Sequence, residues 1–179
     1  MTRLISAVAT VLTALLLQAT LVGPLTFPVP VSLPVLLVVV VAIYAGPGVG
    51  LGLGFCTGLL ADLGSAHPAG VQALCWMGAG VAAGVLGGLA VERGYRTRAV
   101  AAMAALIAGF AGLAVGLVLA VLGSHDASFG LAVRLFVPVV LTDALLGLAV
   151  VPAVRAMLRA QGIRADRPTA ELVGRYVAN

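Results

Sequence analysis

Charge is scarce in this sequence, and lysine is missing altogether. Only 9% of the 179 residues are Asp, Glu, Lys or Arg, and all ten basic residues are arginine. A soluble domain carries about 25% charged residues, so the chain lacks the polar shell that a water-facing surface needs. Groups suited to chemistry are just as sparse. The two cysteines, Cys56 and Cys75, fall inside apolar runs at a spacing that suggests no metal centre, and they read as inert buried thiols. His67 and His125 sit in separate polar loops. The glycine-rich run has no Gly-Lys-Ser/Thr ending and so is no phosphate-binding loop. Ser65, His67 and Asp62 have the residue types of a nucleophilic triad, but they are brought together only by the sequence. No metal, no cofactor and no catalysis are expected.

What is abundant is apolar. Hydrophobic residues make up 62% of the chain, and the mean hydropathy is +1.20. The solvent is therefore mostly lipid, where every backbone group must be satisfied within its own segment, and the runs must be helices. A β-barrel needs short alternating segments, whereas these runs are continuously apolar. The net charge of +4 and a pI near 9.8 do not point to nucleic acid. The arginines mostly stand at the ends of apolar runs, where they orient a membrane protein.

The pattern predicts an all-α integral membrane protein with six transmembrane helices, the second and third of them short and rich in Gly and Pro. Residues 1–22 carry one charge, Arg3, before an apolar run of about the 20 residues needed to span. Leu17-Gln18-Ala19 loosely resembles a signal-peptide cleavage site, but the rest of the chain is equally membrane-bound, which favours a retained span. Gly23 to Pro34 holds four prolines and no charge, a stiff linker outside the cytoplasm. Leu33 to Ala45 and Val49 to Ala61 follow as short helices around a Gly46-Pro47-Gly48 turn. Each is roughly 20 Å long against a hydrocarbon core near 30 Å, so the pair either crosses with local thinning or forms a re-entrant hairpin. Gly70 to Val91, Ala99 to Leu122 and Leu131 to Leu158 complete the set, the last interrupted by Pro138 and Pro152.

Arg3, the group Arg93, Arg96 and Arg98, and Arg155 through Arg175 all fall on one side of such a path. Both termini are then cytoplasmic. Residues 1–160 form a single transmembrane domain, and 161–179 a short cytoplasmic tail that lies on the inner leaflet or stays unordered.

Within this frame one stretch stands out, from Gly46 to Gln72. Gly46, Gly50, Gly54, Gly58 and Asp62 recur at steps of four. On a helix such a row drifts by about 40° per step and makes a shallow groove without side chains, suited to close helix packing or to a partner helix. A second row, Gly80, Gly84 and Gly88, occupies the following span. The ionisable residues at membrane depth are Asp62, Arg134 and Asp143, each costing about 2.5–3.5 kcal/mol to insert. Asp62 and Arg134 match in depth near the outer face. They form an ion pair, or both snorkel to the headgroups, or Asp62 instead meets backbone donors in the loop after it. Asp143 lies deeper and must face the bundle interior or a partner, with Gln18 or a hydroxyl as its candidate donor. Gln72 joins these three as a structural polar position.

The run Gly54-Phe55-Cys56-Thr57-Gly58-Leu59-Leu60-Ala61-Asp62-Leu63, followed by Pro68-Ala69-Gly70-Val71-Gln72-Ala73-Leu74, resembles the signature of the rod-shape-determining membrane protein MreD family. Asp143 sits in a Thr-Asp-Ala-Leu-Leu run where that family more often has Asn. The resemblance implies a non-enzymatic scaffold in the bacterial cytoplasmic membrane. Such a scaffold binds the single-pass protein MreC and helps couple cytoplasmic MreB filaments to peptidoglycan synthases and cell-shape control. That family's fold also resembles the substrate-binding subunits of energy-coupling-factor vitamin transporters, which supplies the alternative function. Against it, those subunits carry an Ala-x-x-x-Ala row on the first helix, and this chain has none there.

Overall fold

A computed structural model describes residues 33–65, 68–92, 96–123 and 129–160. The expected first span, the linker up to residue 32 and the tail 161–179 lie outside them. The described residues form five helices: α1 (Leu33–Ala45), α2 (Pro47–Leu63), α3 (Val71–Glu92), α4 (Thr97–Val121) and α5 (Phe129–Ala160). There is no strand among them. Three helices contain segments long and apolar enough to cross a membrane, Val71–Gly88, Thr97–Val121 and Val133–Arg159. The two shorter ones, α1 with 13 residues and α2 with 17, measure roughly 20 and 25 Å.

α1 is built from Val, Leu and Ile, residues that in water favour strands as readily as helices. Here it is the central rod. Leu36, Val39, Val40 and Ala42 are completely buried, and the helix packs against all four of the others. A helix apolar on every side belongs inside.

The boundary between α1 and α2 departs from the expected three-residue turn. Only Gly46 lies outside a helix; Pro47 occupies the first turn of α2, where its missing N–H goes unneeded and its fixed φ suits the helix. Gly46 closes both elements. Its N–H donates to the Ala42 carbonyl at 2.8 Å, and its carbonyl accepts from the Gly50 N–H at 3.1 Å. The φ of +93° at Gly46 is open to glycine and strained for other residues. α2 is accordingly longer than the predicted span.

The second difference is in α5, which runs as one helix of 32 residues through Pro138 and Pro152. Near Pro138 the Thr142 hydroxyl folds back between the Pro138 and Val139 carbonyls, 2.9 Å from each. Side-chain hydroxyls of this kind help lipid-embedded helices accommodate proline.

On α4 size is sorted opposite to a soluble protein. α4 turns Ala101, Ala104, Ala105, Ala108 and Ala111 inward, while Phe110, Leu117 and Val121 point outward. Lipid is as apolar as any core, so large side chains gain nothing by turning in, and small ones are used where helices must come close.

Candidate functional site

The Gly46–Gln72 stretch becomes a helical hairpin in which α2 and α3 touch backbone to backbone. A β-carbon added at Gly50 would fall on the Gly80 carbonyl, and one at Gly80 on the Gly50 carbonyl. One at Gly54 would strike the Trp76 carbonyl, and one at Gly58 the main chain of Ala73. At the other end Gly84 lies under Pro47 and Gly46. Each step of about four residues forward on α2 is a step of about four back on α3, so the two helices keep one antiparallel register along the contact. Gly46 meets Gly84 through its main chain alone, because nothing stands within 4 Å of where its own β-carbon would be; its further contribution is the positive φ of the corner. Gly87 lies against the Ile43 backbone. The adjacent Gly88, singled out from the sequence, is partly buried. A shift of one residue in the row escapes a strict count of four, because a contact alternates between steps of three and four as it follows a helix face.

Asp62 sits where this zipper ends, only 2% exposed. Its Oδ2 accepts the Gly70 N–H at 2.8 Å and the Ala73 N–H at 3.1 Å, and its Oδ1 accepts the Gln72 N–H at 3.0 Å. The first N–H groups of a helix have no partner inside it, and α3 receives its partner from the last turn of the preceding helix. The carboxylate also meets the positive end of the α3 dipole. Two features let the chain return to this point. Gly64 and Ser65 fold back on the end of α2, with the Ser65 hydroxyl donating to the Asp62 main-chain carbonyl at 2.7 Å. Gly70 then takes φ +101°.

The polar positions fare differently from one another. Gln72 contributes its backbone N–H to Asp62, and its side chain is partly buried. Arg134 is exposed on α5, and the Asp62 carboxylate is held by backbone donors instead. Asp143 is completely buried, on the α5 face that also carries the buried Gly147, Val151 and Val154. Gln18, its suggested donor, lies outside the described residues, as do His67 and His125. Cys56 is exposed on α2 and Cys75 half-buried on α3. No group of three His, Cys, Asp or Glu among the described residues could hold a metal ion. Sequence reasoning passed over Thr57, which is fully buried within the zipper, its hydroxyl without a hydrogen-bond partner among the described residues. Its place between Cys56 and Gly58 on the inward side of the row was the available signal.

Chemically, this is an arrangement for holding two helices together. Every atom of the Asp62 carboxylate faces a backbone donor, and the glycines leave no space between the helices. The sequence profile of the rod shape-determining protein MreD matches residues 1–161. Comparison with curated proteins and with solved structures gives no match. A match that runs from the first residue past the end of α5 identifies the chain as a member of the MreD family, bacterial inner-membrane proteins that determine rod shape as part of the MreBCD machinery.

Proposed function

We propose that this chain is a non-enzymatic, six-span scaffold of the elongation machinery, with both termini in the cytoplasm, that binds an MreC-like single-pass protein. Through that protein it helps couple MreB filaments on the inner side to peptidoglycan synthesis outside. The observation that carries this reading is the fate of the signature residues. Gly54, Gly58 and Asp62 are all engaged within the hairpin, so the signature builds a rigid body and leaves no group poised for reaction. A partner helix therefore meets the outward side chains of the bundle, such as Leu51, Phe55 and Leu59 on α2, and the glycine row lies behind them.

The test is recovery of a tagged chain from membranes. An MreC-like single-pass protein should co-purify with it, whereas recovery of an ATPase-driven transport module in its place would assign the chain to the energy-coupling-factor alternative. Orientation is measured separately. Single cysteines placed at Arg96 and Ala127 should label from opposite sides of the membrane, and equal labelling of both from outside would overturn the six-span path.

A further inference from the structure

At the end of the bundle that carries the arginines, the helices stop at different levels. Ile43 of α1 lies against Gly87 of α3; α1 runs two residues further and α3 five, so α1 ends about 4.5 Å before α3 does. α5 overshoots instead. Gly147 faces Ala101, which puts Thr97 level with residue 151, and α5 continues to Ala160, roughly 13 Å beyond. Val154 and Leu158 on this extension stay buried in one cluster with Ile43. Arg155 and Arg159, one turn apart, are exposed, and the half-buried Tyr44 at the end of α1 packs against the cluster that holds their neighbours Val154 and Leu158. Gly46 and Gly48 next to Tyr44 have open space where side chains would be. Among the described residues at this end the sequence carries one acidic residue, Glu92, and four arginines, Arg96, Arg98, Arg155 and Arg159.

The two arginines also end a stripe. Leu141, Leu145, Leu148, Pro152, Arg155 and Arg159 recur at alternating steps of four and three and are all exposed. That spacing keeps them on one face of α5. The face is apolar for most of its length and doubly cationic at its tip. From Leu145 to Arg155 is about 15 Å, half of a hydrocarbon core of roughly 30 Å.

We propose that Tyr44, Arg155 and Arg159 form a notch for the phosphate of an anionic phospholipid, whose acyl chain lies along Leu148 and Leu145. A guanidinium presents a planar fork of donors that matches phosphate oxygens two at a time, and the Tyr44 hydroxyl adds a third donor at the depth where tyrosine favours the interface. The apolar stripe commits the site to a lipid over a soluble anion, since a free phosphate gains nothing from the leucines. The inner leaflet is the source because anionic lipids and basic residues meet there. Only the assignment to the inner leaflet rests on the orientation proposed above. Binding in detergent does not depend on orientation, so its failure would leave that reading in place.

The experiment is native mass spectrometry of the purified full chain with added phosphatidylglycerol, phosphatidylcholine or inorganic phosphate. The intact chain should retain phosphatidylglycerol about fivefold or more over phosphatidylcholine, with inorganic phosphate unable to displace it. Arg155→Ala with Arg159→Ala should abolish the preference, and Tyr44→Phe should reduce it about twofold. Arg96→Ala with Arg98→Ala removes the same charge from the same end and should leave it intact. Equal loss in that control, no preference in the intact chain, or displacement by inorganic phosphate would each overturn the site. Should the alanine pair prove unfolded, Arg155→Lys with Arg159→Lys decides: weakened retention supports the forked contact, and unchanged retention overturns it.

Discussion

The molecule contains two helical hairpins joined in different ways. In α2–α3 the contact is main chain on main chain. Gly50 meets Gly80, Gly54 meets Trp76, Gly58 meets Ala73, and Asp62 closes the end with three backbone N–H groups. In α4–α5 side chains make the closest contacts, and main chain approaches less tightly. Val140 and Phe136 cover Gly109, Ala101 faces Gly147, and Phe110 and Phe136 stack at 5.1 Å with a 54° tilt between rings. A side chain can change rotamer, whereas a carbonyl in the middle of a helix cannot move without the helix. The first hairpin should therefore fail abruptly and the second yield gradually.

The largest effect expected is from Gly54→Leu. The added side chain falls on the Trp76 main chain, and separating the helices forfeits the whole interface, a loss above about 4 kcal/mol. Thermal unfolding in detergent should show no native transition. An unchanged melting temperature would mean that close approach is not what joins the hairpin.

Asp62→Ala comes next. It leaves the Gly70, Gln72 and Ala73 N–H groups without their acceptor, a cost on the order of 3 kcal/mol or more. Asp62→Asn should fall between alanine and the native acid. Its amide oxygen can replace Oδ2, but its NH₂ then opposes the Gln72 donor. The order Asp, Asn, Ala in melting temperature and in rescue of cell shape is the measurement, and equal rescue by Ala would remove the cap from the account.

Gly109→Ala tests the second hairpin. Its β-carbon would press on the Cγ2 of Val140 and the ring of Phe136; Val140 is stiff at χ1, but these are side chains and not a helix carbonyl, so the cost should be about 1–3 kcal/mol. A collapse as severe as that of Gly54→Leu would erase the contrast between the hairpins.

Smallest is Arg134→Ala. The residue is exposed and Asp62 is held by other donors, so stability should change by less than about 0.5 kcal/mol. A loss as large as that of Asp62→Ala would restore the ion pair suggested by matching depth.

These contrasts mark how far the sequence was legible. Glycines at steps of four announce a close contact, because nothing else in an apolar helix removes a β-carbon so regularly. Asp62 was readable as a helix end from the Gly64-Ser65 turn after it, and backbone donors beyond that turn were one of its expected partners. The particular donors were not readable, since Gly70, Gln72 and Ala73 are fixed by the path of the loop. The Arg134 pairing shows the limit of depth as a guide. Two residues at one level can lie on different sides of a bundle, and sequence gives the level more readily than the direction. Pro138 and Pro152 were overvalued as interruptions, because a helix held in lipid has no better conformation to break into.

The Asp62 cap also bears on how the protein is made. α2 is short and rich in glycine, and it carries an acid that costs about 2.5–3.5 kcal/mol to place in lipid alone. The groups that stabilise that acid lie on α3, which leaves the ribosome later. α2 should therefore remain at the translocon until α3 emerges, and the two should enter the bilayer as a pair. Chains ending after Leu63 should leave α2 poorly inserted in a glycosylation-mapping assay, and chains extended through Glu92 should insert it.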